Sequence, residues 1–193
     1  CNNWNTFVEE VVVKGNDKKE TNEWKEYTGV GKLKTISINN VSSAEEKRII
    51  TTDAEVNRVL GGGIVMGSIV LVAGEPGIGK STLFLQIGLQ LKEVVTLYIS
   101  GEESEQQIKM RAKRISTEQA SPTNSCFLLC ETSTINIIEQ AEAILPGLII
   151  IDSVQTLQSS LNDSSPGSIS QVRESAGEFM RFAKESMIPV ILI

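Results

Sequence analysis

The 193-residue chain has no histidine, three cysteines, five prolines and only 5% aromatic residues. Each shortage excludes something. Without histidine there is no Ser-His-Asp or Cys-His nucleophile, no imidazole proton shuttle and no His-ligated metal. Three cysteines complete neither a tetrathiolate zinc site within one chain nor the disulfide framework of a small secreted domain. As free thiols they suit a reducing cytosol, which predicts a cytoplasmic protein. No apolar run approaches the ~18 residues of a membrane span, so no membrane partner is expected, and no signal-peptide pattern opens the chain. Global basicity is missing too. The net charge is −6, and residues 1–50 hold eight basic and eight acidic side chains, so the whole excess falls on residues 51–193. Overall charge therefore gives no general affinity for nucleic acid. Any DNA contact must come from a local patch, an assembled oligomer or a part outside this chain.

What is present is ordered along the chain. Residues 1–45 read as an appendage and linker. Lys14 to Glu26 is polar and charged without apolar period, which predicts a solvated segment. Trp4, Phe7 and Val8, and then Trp24 and Tyr27, are its only candidates for docking. From residue 46 to 193 the pattern is that of one α/β domain. Arg48–Thr52 reads as extended, and Thr52 or Asp53 caps a short helix through Val56, Val59 and Leu60 that Gly61-Gly62-Gly63 ends. Apolar strands follow at Ser68–Ala73, Val94–Ser100, Cys126–Cys130, Leu148–Ile151 and Val190–Ile193. Helices are predicted between them: Lys80–Leu91, a capping-box helix opening at Ser104 and running to Ile115, Thr134–Ile144, and a last one opening at Ser168. Strands alternating with helices imply a mostly parallel sheet with helices on both faces. The loop at 158–168 is longer than ordinary connections. The chain starts on Cys1 and stops within an apolar strand, which predicts a piece cut from a longer protein.

Gly74-Glu75-Pro76-Gly77-Ile78-Gly79-Lys80-Ser81 meets every fixed position of G-x-x-x-x-G-K-[ST], between a buried strand and a helix. Glycines let successive N–H groups turn inward on phosphate oxygens, and the helix N-terminus adds partial positive charge. Lys80 then reaches the β- and γ-phosphates of ATP, Ser81 offers a hydroxyl to Mg²⁺, and Thr82 bonds the α-phosphate or the loop. A second acidic position is required near the metal. Leu148-Ile149-Ile150-Ile151-Asp152 supplies it at a strand end, with Ser153 beside it. Two strands intervene between these motifs, the pattern of phosphate-loop ATPases that carry a catalytic glutamate. Glu102 and Glu103 follow the second strand at the edge where open α/β sheets bind ligands. Glu102 is preferred as the group that orients attacking water, because Glu103 lies closer to the helix cap. The alternative is that both acids complement the helix dipole.

These blocks carry a resemblance. Cys1-x-x-Trp4-Asn5-Thr6, Glu55-x-x-Arg58-Val59-Leu60-Gly61-Gly62-Gly63, the phosphate loop, Tyr98-Ile99-Ser100-Gly101-Glu102-Glu103-Ser104, Gln106-Gln107-Ile108-Lys109-x-Arg111-Ala112, Ile151-Asp152-Ser153-Val154-Gln155-Thr156 and Ser170-Gln171-Val172-Arg173-Glu174 together resemble the bacterial RadA/Sms DNA-repair family of RecA-like P-loop ATPases. The Ser-Gly-Glu-Glu-Ser and Ser-Gln-Val-Arg-Glu blocks are the more specific of these. The resemblance implies a DNA-dependent ATPase of recombinational repair, working as a hexameric ring on single-stranded or branched DNA and promoting branch migration, with a possible recombinase partner. It also implies an N-terminal four-cysteine zinc finger whose last ligand matches Cys1, so that Zn²⁺ belongs to the full-length protein only. Further C-terminal parts are implied beyond Ile193.

Other signals have plain readings. Lys109, Arg111, Lys113 and Arg114 flank an apolar stripe of Ile108, Ala112 and Ile115, and read as a solvated helix face or a DNA or subunit contact. Arg173 beside the long loop reads as a DNA-facing group or as a surface ion pair with Glu174 or Asp163. The 158–168 loop is either a DNA-contacting loop or merely flexible. Cys126 and Cys130 read as buried small hydrophobes. Val172, Ala176, Phe179, Met180, Ala183 and Met187 form the predicted inner face of the last helix. Two other functions fit the same motifs: a signalling or clock-type ATPase or kinase acting on protein, and a nucleotide-gated assembly module without significant turnover.

Overall fold

The computed structural model describes residues 35–41, 46–115 and 125–193. Cys1, the aromatic cluster at Trp4 and Phe7, the charged stretch 14–26, Trp24 and Tyr27 lie outside the described residues. The chain divides into two units, Cys1–Ala44 and Glu45–Ile193, and the second contains the sheet. In chain order its elements are β1 (Arg48–Ile49), α1 (Ala54–Val59), β2 (Ile64–Val65), β3 (Ile69–Leu71), α2 (Lys80–Gln90), β4 (Thr96–Ser100), α3 (Glu105–Ile115), β5 (Cys126–Cys130), α4 (Thr134–Ile144), β6 (Leu148–Asp152), α5 (Ile169–Ser186) and β7 (Val190–Leu192).

Five of the strands form one sheet in the order β3-β7-β6-β4-β5, every pairing parallel. Parallel strands need helical crossovers and so are covered on both faces. Alternate residues show this. Leu97, Ile99, Ile149, Ile151, Val190 and Leu192 join Ile137 of α4 and Phe179 and Ala183 of α5 in one core. Tyr98, Ile150 and Ile191 join Phe84, Leu85 and Ile87 of α2 and Ile108 of α3 in the other. The period-2 alternation of a strand sends neighbours to opposite faces. The fold is thus a mixed α/β fold with a mostly parallel sheet between helices, as expected of a RecA-like P-loop core. Two strands separate β3 from β6 in sequence, but in space a single strand, β7, lies between them.

The helix starts follow the capping residues. Asp53 Oδ1 accepts from Val56 N–H at 2.8 Å. Ser104 and Gln107 form a reciprocal box, with Ser104 N–H donating to Gln107 Oε1 at 2.8 Å and Gln107 N–H donating to Ser104 Oγ at 3.4 Å. Ser168 Oγ accepts from Gln171 N–H at 3.3 Å.

Three expectations are corrected. Within the extended stretch at 48–52 only Arg48–Ile49 forms a strand, and it pairs antiparallel with Ile64–Val65; two-residue strands are too short to show a period. Of the predicted inner face of α5, Phe179 and Ala183 lie in the core and Val172 and Ala176 pack against it, but the two methionines do not. Met180 and Met187 are 42% and 56% exposed, while Gln171 and Ser175 are buried with Phe179, Phe182 and Ala183. Gln171 is buried because it holds the long loop: its Oε1 accepts from Ser159 N–H at 3.0 Å and its Nε2 donates to Asn162 O at 2.7 Å and Ser164 O at 3.0 Å. A buried amide that serves several backbone groups ties the loop to the start of α5. The cysteines differ from each other. Burial pushes the Cys126 thiol up to about 11, but Cys130, at the outer end of the edge strand β5, is exposed.

Candidate nucleotide site

The site forms where the ends of the neighbouring strands β6 and β4 meet the phosphate loop. Gly77 and Gly79 take φ values of +79° and +102°, the left-handed region that favours glycine. A Cβ at either would meet nothing within 4 Å, so the backbone conformation and not crowding requires glycine. Gly79 is the N-cap of α2 and gives no side-chain cap bond. The first N–H groups of the helix are therefore free for an anion. Lys80 folds back over the loop, its Nζ donating to Gly74 O at 2.8 Å and Glu75 O at 2.9 Å. Glu75, Pro76, Ile78 and Thr82 are exposed around it.

β6 brings the acidic position in. Leu148 to Ile151 are fully buried, and Asp152 emerges as the strand ends. Ser81 Oγ donates to Asp152 Oδ1 at 2.9 Å, across a sequence separation of 71 residues. A hydroxyl and a carboxylate at that spacing are hard oxygen donors of the kind Mg²⁺ takes. Tyr98 Oη donates to Asp152 Oδ2 at 2.5 Å. Burial first, then that bond to Asp152, holds the Tyr98 phenol well above its ordinary value and keeps it a donor.

Glu102 and Glu103 separate in the structure. Because Ser100 is the register partner of Asp152 on the adjacent strand, the segments that follow the two strands run side by side. Ser153 Oγ donates to Glu102 Oε1 at 2.8 Å, and Glu102 is exposed. Glu103 turns instead to Arg111, whose Nη2 lies 2.5 Å from Glu103 Oε2 and 3.8 Å from Asp152 Oδ2. Arg111 is thus no part of a solvated face: its side chain is 15% exposed, whereas Lys109, Lys113 and Arg114 are exposed. Tyr98 and Arg111 were missed as site residues. Tyr98 is hidden in an apolar strand, where its hydroxyl is the only signal, and Arg111 sits among other basic residues. Arg173 is exposed, and the expected partner Glu174 lies against Arg181 at 3.9 Å.

Gly101 allows the approach of these segments. A Cβ there would lie 2.7 Å from Thr156 Cβ and 3.0 Å from Thr132 Cγ2. Gly101→Ala is expected to cost about 1–3 kcal/mol of stability, the usual penalty of overpacking, and to push the 153–156 turn from Glu102. Chemical denaturation measures the first effect and loss of turnover beyond the loss of folded protein the second; a neutral variant would refute the close approach.

Among the described residues no group of three or more His, Cys, Asp or Glu side chains could hold a metal; the candidate zinc ligand Cys1 lies outside them. No helix among the described residues is long and apolar enough to cross a membrane.

The AAA domain family profile matches residues 37–193. The DNA repair protein RadA of Bacillus subtilis (strain 168) is 41% identical over all of this chain, which covers 41% of that protein. RadA of Pseudomonas aeruginosa is 42% identical and that of Listeria monocytogenes serovar 1/2a is 43% identical, again over all of this chain and 41% of theirs. The chain therefore spans about two fifths of the length of these relatives. With this profile over most of its residues, the chain belongs to the AAA domain family, and along its whole length it matches proteins of the RadA/Sms family of RecA-like P-loop ATPases.

Proposed function

We propose that residues 46–193 are the ATPase core of a DNA-dependent motor of recombinational repair, which couples ATP hydrolysis to branch migration on single-stranded or branched DNA. The observation that carries the ATPase part is the 2.9 Å contact between Ser81 and Asp152, which joins the phosphate loop to the acidic strand end. The DNA part is supported by identity to proteins named for DNA repair. In this reading the loop N–H groups and Lys80 bind the phosphates, while Ser81 and Asp152 hold Mg²⁺. Mg²⁺, when bound, neutralises charge on the β- and γ-phosphate oxygens. Glu102, aimed by Ser153, orients water for in-line attack. A hexameric ring, a recombinase partner, a cytoplasmic location, and a zinc finger that includes Cys1 in the appendage 1–45 belong to the same proposal.

The test is ATP hydrolysis by the intact gene product with and without single-stranded or branched DNA. Stimulation by DNA is expected. Phosphoprotein formed from labelled ATP would instead favour a kinase, and ATP binding without turnover would favour an assembly module.

A further inference from the structure

A carboxylate that faces a metal with one oxygen is aimed by whatever holds the other. The Asp152 side chain is only 14% exposed. Its Oδ1 faces Ser81, so Oδ2 is the oxygen available for holding. Two groups meet it there. Tyr98 is fully buried, and its ring sits in the core cluster with Ile108 and Ile150. Its hydroxyl is therefore fixed by β4, and it reaches Oδ2 at 2.5 Å. Arg111 comes from α3 on the same face of the sheet and sets its guanidinium between Glu103 and Asp152, within ion-pair distance of both. Its Nε is buried and without a hydrogen-bond partner among the described residues. Burying a guanidinium is costly unless it is paired. A residue needed only for solubility would point outward, as Lys109 and Lys113 do.

We propose that Tyr98 and Arg111 are positioning residues for Asp152, with Glu103 anchoring Arg111. Together they turn the Asp152 carboxylate so that Oδ1 meets Ser81. The same arginine ties the carboxylate at 152 to the segment after β4, in which Glu102 immediately precedes Glu103. The inference rests on the proposed reading of Ser81 and Asp152 as the magnesium side of the site.

The test is a Mg²⁺ titration of ATP binding, followed by a fluorescent ATP analogue, with thermal melting alongside. Tyr98→Phe keeps the buried ring and removes only the bond, so it should still fold. Tyr98→Phe and Arg111→Gln are each expected to raise the half-saturating Mg²⁺ concentration by about 10-fold, the low end for loss of a group behind a metal ligand, with metal-free ATP affinity unchanged. Arg111→Lys should recover part of the shift, since it keeps the charge but not the fork. If the wild type is Mg²⁺-dependent and Ser81→Ala is shifted, but Tyr98→Phe and Arg111→Gln titrate like wild type, the positioning role is overturned and the site reading stands. A lowered melting temperature with an unchanged Mg²⁺ profile also overturns it, as a structural role only. A wild type without Mg²⁺ dependence overturns both.

Discussion

Lys80→Ala is expected to abolish ATP binding, with the dissociation constant rising at least about 100-fold. The ammonium is held by two loop carbonyls, Gly74 O and Glu75 O, at the mouth of the phosphate cradle. From there it would meet phosphate oxygens through charge-assisted bonds worth roughly 1.5–3 kcal/mol each. Two such bonds correspond to about two orders of magnitude or more in affinity. Lys80→Arg should fail nearly as badly, because a planar fork does not replace a compact charge inside a curled loop. Isothermal calorimetry with ATP decides the matter, and circular dichroism shows whether the fold is kept. A folded Lys80→Ala variant that binds ATP like the wild type would remove the nucleotide site from this loop.

The second large effect concerns the paired glutamates. Glu102→Gln should lower turnover by about 10²–10⁴, the usual contribution of a positioned base, with ATP binding retained. Glutamine still accepts the Ser153 hydroxyl bond, so the segment keeps its place while the charge is lost. Glu103→Gln should act differently. It weakens the anchor of Arg111, so its effect should appear in Mg²⁺ dependence and not as loss of the chemical step. Single-turnover hydrolysis of the two variants in the intact gene product separates the roles. If Glu103→Gln removes turnover and Glu102→Gln does not, the assignment is reversed.

Much of this was readable in the residues. The strand Cys126–Cys130 and the helix Thr134–Ile144 have the predicted bounds, because an apolar run and a capped amphipathic stretch are local signals. The phosphate loop was also legible, since its glycines, lysine and serine stand within eight positions and their chemistry depends on that spacing. The resemblance to RadA/Sms rested on short blocks of the same kind, and identity of 41–43% to RadA proteins bears it out. The burial of Gln171 on α5 was not foreseen because it is a polar residue that is buried by serving backbone groups of the preceding loop, which apolar period does not record. Arg111 was misread because a helix period places it beside exposed lysines and says nothing of a carboxylate on another strand.

The sequence by itself therefore determined the elements, their alternation and the phosphate loop, all products of local periodicity and local turn chemistry. Tertiary structure decided which groups share the site. Parallel pairing of β4 and β6 sets Ser100 beside Asp152, and only that register lets Ser153 reach Glu102 and Tyr98 reach Asp152. It also gave Glu103 to Arg111 and left Glu102 exposed beside Ser153. Such pairings join residues about 50 to 70 positions apart in the chain, a distance over which sequence period carries no information.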